Sequence, residues 1–392
     1  MLVCTASFLS SSAQYLVITA IPLLLKDMGF GDEFVGGYVG AFAFGALVAR
    51  FPVGGAVDRF GARLFGAGGA GVLGAACVLY ALMPMVPVPL PLIAEIPLLL
   101  PVAGIAHSIG FSTYGTAASS FVAYTAPQER RGEAVAYYGV LTNVATGGAA
   151  GVSLLIVEAW GFTVLLATAA SIALLAAILS SNLGNTPRAV NSGAFASLQI
   201  EKSVLVPGLA STALAVGNGV ALAFVPLLGL ERGIADPGLY FTVVALTSIT
   251  FRVLSGRFVD AFGRTASILP GMLATAAGLF LVARASSIET LALAGLVYGI
   301  GSASAIPALQ ALAIDVAGPD RRGAAMATFW ATVDLGVSVG SMAAGQIAAV
   351  AGYSGAFMAA SLAPLAGLVL FVIYLGSRRR PAGVRSRPPQ DR

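Results

Sequence analysis

Residues 50–63 read Arg50-Phe51-Pro52-Val53-Gly54-Gly55-Ala56-Val57-Asp58-Arg59-Phe60-Gly61-Ala62-Arg63. Two hundred residues on, the phrase returns as Arg252-Val253-Leu254-Ser255-Gly256-Arg257-Phe258-Val259-Asp260-Ala261-Phe262-Gly263-Arg264. Arg50 and Arg252, Gly54 and Gly256, Asp58 and Asp260, and Gly61 and Gly263 are each 202 residues apart. Both copies stand between long apolar runs. A charged phrase repeated on such a period in so apolar a chain predicts a membrane protein built from two related halves.

Composition carries the argument outward. Of 392 residues, 58% are hydrophobic and only 10% charged, against roughly 25% charged in a soluble domain. Mean hydropathy is +0.91. A soluble fold could not hide so large an apolar share, because its surface would be covered in it. Runs of about twenty apolar residues follow one another, the length a helix needs to cross some 30 Å of hydrocarbon. Twelve such runs are centred near residues 13, 46, 75, 112, 144, 171, 215, 248, 275, 303, 335 and 366. The expected fold class is an all-α membrane protein of twelve transmembrane helices in two parallel six-helix repeats. The first run lacks a basic leader segment and a small-residue cleavage site, and reads as a retained first helix.

Basic residues set the expected orientation. With both termini inside, eighteen of the twenty-one lysines and arginines fall in internal loops and the tail, and only Lys26, Arg232 and Arg284 lie outside. This predicts a multi-pass protein of the cell inner membrane with both termini cytoplasmic. The net charge of +4 is accounted for by that asymmetry and by the tail. Arg378–Arg380 therefore reads as a stop at the bilayer surface, and nucleic acid is not an expected partner. Cys4 and Cys77 fall within separate spans and form no disulfide framework.

Other features repeat in the same order. Gln14 with Pro22-Leu23-Leu24 matches Asn218 with Pro226-Leu227-Leu228 at an offset of 204, and Arg130-Arg131-Gly132 matches Arg321-Arg322-Gly323 at 191. At that second offset Asn143 aligns with Asp334. The predicted organisation is a first bundle over residues 1–181, a polar cytoplasmic linker over 182–203, a second bundle over 204–376 and a basic tail over 377–392. Glycine runs such as Gly66-x-Gly68-Gly69-x-Gly71 and Gly147-Gly148-x-x-Gly151 predict close approach of neighbouring helices.

With these residues on the page, the chain resembles the major facilitator superfamily of secondary transporters. The resemblance spans the whole chain and rests on Gly54-x-x-x-Asp58-Arg59-x-Gly61-x-Arg63, its echo at Gly256–Arg264, and the basic-glycine starts of the fifth and eleventh runs. Within the superfamily it is similar to bacterial sugar-efflux and drug-efflux permeases. One departure stands out. Proton antiporters of the superfamily often carry Gly-x-x-x-Gly-Pro-x-x-Gly-Gly in span five, and here that stretch is Asn143-x-x-x-Gly147-Gly148-x-x-Gly151-Val152.

The resemblance implies that the phrase acts as a cytoplasmic gate formed by Arg50, Gly54, Asp58, Arg59, Gly61 and Arg63. The second copy would supply a weaker one from Arg252, Gly256, Asp260, Gly263 and Arg264, since Ala261 stands where Arg59 does. A carboxylate such as Asp58 is favoured near a helix N-terminus, and contacts of this kind bias a conformational equilibrium when they form and break. The plainer reading is a basic cluster that fixes the loop inside, and both readings stand. Arg50 and Arg252 are read as lying at cytoplasmic span ends, which favours neutral or cationic cargo over anionic.

Ionisable groups deep in spans are scarce and therefore informative. Asp334, near the middle of span eleven, is the first candidate for proton coupling, and His107 in span four the second, because its ordinary pKa near 6.5 suits proton exchange. Either could instead be a hydrogen-bonded structural residue. Gln14, Tyr15, Tyr114, Asn143, Asn218, Gln310 and Trp330 are the candidate lining of a central cavity, since the resemblance implies that spans one, four, seven and ten face it. Any one aromatic among them serves helix packing equally well.

Function classes narrow accordingly. The two lysines, Lys26 and Lys202, lie in no phosphate-binding loop, and one histidine with two separated cysteines makes no metal cluster. No cofactor and no enzyme activity are expected. The expected function is a monomeric secondary transporter moving a small organic molecule through the lipid bilayer, by proton-coupled efflux. The alternative is an uptake symporter or facilitator for a sugar or organic acid.

Overall fold

The computed structural model describes residues 2–85, 89–90, 93–125, 131–184, 201–262, 265–317 and 322–379. They form helices α1 (Leu2–Asp27), α2 (Asp32–Phe60), α3 (Ala62–Leu82), α4 (Leu99–Thr125), α5 (Arg131–Ser181), α6 (Leu205–Glu231), α7 (Leu239–Phe262), α8 (Thr265–Arg284), α9 (Ile288–Ala317) and α10 (Arg322–Arg379). A two-stranded antiparallel ribbon, β1 (Pro89–Leu90) and β2 (Ile93–Pro97), precedes α4. Among the described residues the regular structure is thus all-helical but for that ribbon, and eight helical stretches are long and apolar enough to cross a membrane.

Where the sequence predicts a loop between the fifth and sixth runs, and between the eleventh and twelfth, the chain instead stays helical on both sides of one residue. That residue is Gly161 (φ 80, ψ 172) in α5 and Gly352 (φ 69, ψ 175) in α10. A 51-residue helix would extend about 77 Å, far beyond a bilayer, so these breaks matter. Positive φ is accessible to glycine without a Cβ clash, and a single such residue turns the chain. The two breaks are 191 residues apart, the offset at which Arg131 matches Arg322. Gly29 and Gly233, also at positive φ, are 204 apart, the offset that relates Pro22 to Pro226.

Successive helices alternate in direction. Val3, Val57, Ala62, Phe121 and Leu183 share one cluster, which gathers the start of α1, the end of α2, the start of α3 and the ends of α4 and α5 on one side, here the near face. On the far face, Asp32 pairs with Lys26 and accepts from the Tyr353 hydroxyl, while the Arg232 guanidinium binds the carbonyls of Ala283 and Ala285 and the hydroxyl of Ser354.

Helices α1–α5 pack among themselves, as do α6–α10. The two groups meet where α2 faces α10, α5 faces α7 and α1 faces α6. The first two contacts are seams in which backbones nearly touch. A Cβ on Gly36 would strike the Ser341 carbonyl, and one on Gly345 would lie 2.7 Å from the Asp32 carbonyl. In the other seam a Cβ on Gly147 would strike Ala245 and one on Gly151 would strike Thr242. Small residues permit such approach, and the packing that follows holds helices together where lipid offers no hydrophobic drive.

Candidate functional site

The seam between α2 and α10 carries a charge pair. Arg50 lies ten residues before the end of α2 and Asp334 twelve residues into α10, about 15 and 18 Å from those near-face ends. An Arg50 terminal nitrogen stands 3.0 Å from Asp334 Oδ2, with side chains 31% and 17% exposed. Arg50 Nε has no hydrogen-bond partner, and the pair is held through the terminal nitrogen. This corrects the sequence reading of Arg50. It lies ten residues before the end of α2 rather than at that end, beside the first proton-coupling candidate.

Tyrosines surround the pair. The Tyr15 hydroxyl of α1 lies beside Thr146 of α5 and within electrostatic reach of Asp334. Tyr138 of α5 lies within reach of Arg50 and beside Ser7. Ser7 in turn stands 3.3 Å from the Tyr114 hydroxyl, on α4. Five helices thus converge on one polar cluster inside an apolar protein. Arg50, Asp334, Tyr15 and Tyr114 were legible as candidates. Thr146 and Ser7 were missed, because short hydroxyl side chains in a helix more often bond their own preceding turn, as Thr146 does with Thr142.

Other candidates stay apart. His107 is wholly buried between Phe42 and Tyr80, with ring centroids 4.8 and 5.9 Å away and neither ring nitrogen hydrogen-bonded. It belongs to the packing of α2, α3 and α4. Gln14 is buried beside Tyr15 in sequence, its Oε1 without a hydrogen-bond partner. Asn143 is half-buried on α5, and Asn218 is exposed between buried Gly217 and Gly219 on α6. The Gln310 amide approaches Met326 Sδ at 3.9 Å. Trp330, one turn before Asp334, is exposed and meets Phe329 edge-on at 5.7 Å.

The gate phrase is described in part. Gly61 takes φ 97 and its N–H donates to the Val57 carbonyl at 2.8 Å, which turns the chain from α2 into α3. Gly54 has open space where a Cβ would stand. Arg59 is exposed over the Phe60 ring, and Arg63 is exposed. The side chains of Asp58, Arg252 and Asp260 lie outside the described residues. Gly263 and Arg264 lie wholly outside them.

Toward the far face the seam continues in polar contacts. The Ser338 hydroxyl donates to the Gly40 carbonyl at 2.8 Å, and the Tyr353 hydroxyl donates to Asp32 Oδ1 at 3.0 Å. Asp32 also pairs with Lys26 at 2.7 Å. A cavity of about 370 Å³ opens there, lined by Lys26, Asp32, Leu227, Glu231 and Tyr353 among others. The other seam has one hydroxyl bond among the described residues, from Thr242 to the Gly147 carbonyl at a long 3.4 Å.

A charge pair and a tyrosine cluster thus lie between two packed groups of helices. The family model described as Major Facilitator Superfamily matches residues 3–235 and again 207–391. The chain belongs to the Major Facilitator Superfamily. Members of that family are multi-pass membrane transporters. Among curated relatives, Multidrug resistance protein 1 of Bacillus subtilis (strain 168) is 26% identical over 168 residues, covering 42% of this chain and 43% of that protein. The chain spans less than half the length of the curated relatives it matches. Among solved structures, a point mutant of the nucleoside transporter NupG aligns with TM-score 0.76 at 12% identity, over 95% of this chain and 99% of that one. The inward-open xylose transporter XylE from E. coli aligns with TM-score 0.73 at 20% identity, over 94% of each. At these identities the likeness to solved structures shows the fold.

Proposed function

We propose that this superfamily member is a proton-coupled secondary transporter that exports a small organic molecule by alternating access. The observation that carries the reading is the Arg50–Asp334 pair, an ionisable link between two helix groups at a partly buried depth. When Asp334 holds a proton it no longer attracts Arg50, and one tie across the α2/α10 seam is lost. Protonation therefore biases the halves toward separation at the near face, by as much as the pair contributes. Export is supported by the likeness of part of the chain to the multidrug resistance protein.

The architecture in this reading has twelve spans in two six-helix repeats, 1–181 and 204–376, joined by the linker 182–203 and followed by the tail 377–392. The matching offsets of Gly29 with Gly233 and of Gly161 with Gly352 support it. Both termini face the cytoplasm of the cell inner membrane, the near face is cytoplasmic, and the transporter acts as a monomer. The phrase around Asp58, Arg59 and Arg63, with its second copy, is the gate at that face.

The test is transport in proteoliposomes under an imposed pH gradient, with neutral, cationic and anionic fluorescent amphiphiles as cargo. Asp334→Asn is expected to lose gradient-driven accumulation while keeping helical content and elution volume. Undiminished gradient-driven transport in that variant sinks the reading. A second reading, proton-linked uptake of an organic acid, is favoured by one observation: Arg50 stands in the site rather than at a span end.

A further inference from the structure

We infer that Tyr353 and Asp32 form a latch that holds the far face shut, and that their one hydrogen bond must break each time that face opens. The latch takes from the proposed function only alternating access. It needs neither a proton on Asp334 nor a particular cargo.

Packing marks the far face as the closed one. One hydrophobic core draws on all ten helices in the far half and is shared by both groups, so that Ile21 and Leu25 of α1 lie in it with Phe224 and Leu228 of α6 and Ala348 of α10. Toward the near face the described core divides. The cluster around Leu214 and Phe329 belongs to α6–α10, and those around Phe121 and Tyr114 belong to α1–α5. Polar ties between the groups follow the same division. Among the described residues they run outward from Arg50–Asp334 and Thr242–Gly147 through Ser338–Gly40 to Tyr353–Asp32, the outermost.

Tyr353 directly follows Gly352, whose positive φ turns α10 at the far face. Its hydroxyl donates to Asp32 Oδ1 at 3.0 Å, and the Lys26 ammonium stands 2.7 Å from the same oxygen. Each side of the bond is fixed within its own group. Lys26 of α1 holds Asp32 at the start of α2. The Arg232 guanidinium donates to the hydroxyl of Ser354, next to Tyr353, and to the carbonyls of Ala283 and Ala285, which ties the turn of α10 to the ends of α6 and α8. Only the hydroxyl–carboxylate bond crosses from one corner to the other, beside the far-face cavity. A charged acceptor makes such a bond about twice as strong as a neutral one, and it weakens steeply with distance. Two rigid corners that part therefore lose it outright. While it holds, loss of a deeper tie lets the groups part at the near face alone.

The other seam has no such bond among the described residues. Phe162 and Asp236 stand where the repeat places Tyr353 and Asp32. Asp236 accepts from the Gly238 N–H of its own group, and Glu158 of the first group lies within electrostatic reach of it. Like charges on the two groups oppose closure there, so the polar hold on the far face falls to Tyr353 and Asp32.

The test measures distances between spin labels in the full-length protein carrying Cys4→Ser and Cys77→Ala. One sample is labelled on the far face at Asp27→Cys and Ser286→Cys, another on the near face at Leu64→Cys and Gly376→Cys, all four positions being exposed. Tyr353→Phe is expected to raise the population that is wide at the far face and narrow at the near face by about tenfold or more. Asp32→Ala is expected to do the same, with Tyr353→Phe adding nothing in that background. Lys26→Met leaves the crossing bond in place and should stay within about twofold of the parent. Parental distances in Tyr353→Phe, additive shifts in the double variant, or a shift in Lys26→Met as large as that of Tyr353→Phe each overturns the latch. Widening of the far face without narrowing of the near face is loosening rather than gating, and overturns it too. Undiminished proton-driven transport in Asp334→Asn sinks the proton reading and leaves these distances, and the latch, as they are.

Discussion

Two seams join the helix groups, and the repeat makes them comparable residue by residue. In the α2/α10 seam, Arg50 meets Asp334, the Ser338 hydroxyl binds the Gly40 carbonyl, and Tyr353 binds Asp32. In the α5/α7 seam, the positions related to Asp334, Ser338 and Tyr353 by 191 residues are Asn143, Gly147 and Phe162. Those related to Arg50 and Gly40 by 202 are Arg252 and Thr242. The hydroxyl has changed sides at one level, from Ser338 on α10 to Thr242 on α7, and its bond has lengthened to 3.4 Å. At the far face, Asp236 stands 204 residues from Asp32, and its carboxylate accepts from the Gly238 N–H instead of from a tyrosine. Burial raises the Asp236 carboxyl above the usual range. Glycines bring the helices close in both seams, but among the described residues only one carries a carboxylate at its polar level. The two seams share close glycine contacts, and at the level of the charge pair they differ by Asp334 on α10 against Asn143 on α5.

The largest expected effect comes from exchanging that difference. Asp334→Asn combined with Asn143→Asp keeps the count of carboxylates but moves it to the other seam. Gradient-driven accumulation is expected to stay at least about tenfold below the parent, because Tyr15 and Tyr138 bracket the Arg50 site and the charge pair there is lost. Recovery toward parental transport would show the seams to be interchangeable and break the comparison. Next in size are Gly36→Leu and Gly147→Leu, each of which drives a side chain into a facing backbone or methyl. Both are expected to lower unfolding stability by about 1–3 kcal/mol, read from denaturation in detergent. Closely similar losses sharpen the view that packing is common to both seams, and a large inequality counts against it. Ser338→Ala should cost about 1 kcal/mol, the ordinary net worth of a buried hydrogen bond. Thr242→Val, which loses a bond already stretched to 3.4 Å, should cost roughly half of that or less. Equal costs would remove one of the distinctions drawn here. Smallest is Lys26→Met. Its pair with Asp32 is about a third exposed on the lysine side, so a loss of about 0.5 kcal/mol or less is expected, vanishing in high salt. A larger, salt-independent loss would make Lys26 part of the far-face closure.

Much of this comparison was already written in the chain. The apolar runs required helices, because a bilayer leaves no partner for unpaired backbone groups. The repeated phrase and the three offsets located the symmetry, and the structure put positive-φ glycines at two of those offsets. Asp334 was identifiable from its rarity alone, since a carboxylate in the middle of an apolar run is too costly to be incidental. The span count is where the fold was least legible. Where the sequence suggested loops around 161 and 352, a single glycine does the turning, and no polar stretch marks it.

Pairing across the seams could not be read at all. The sequence by itself determined the class of protein, the repeated phrases, and which residues were too polar for their surroundings, because solvation in lipid is a property of each residue type and its neighbours in line. Only the tertiary structure decided that Arg50 belongs with Asp334, 284 positions away, and that His107 belongs with Phe42 and Tyr80 instead. Which arginine meets which carboxylate depends on how two rigid helix groups are set against each other, and that is settled by close glycine packing along the whole seam rather than by either charged residue.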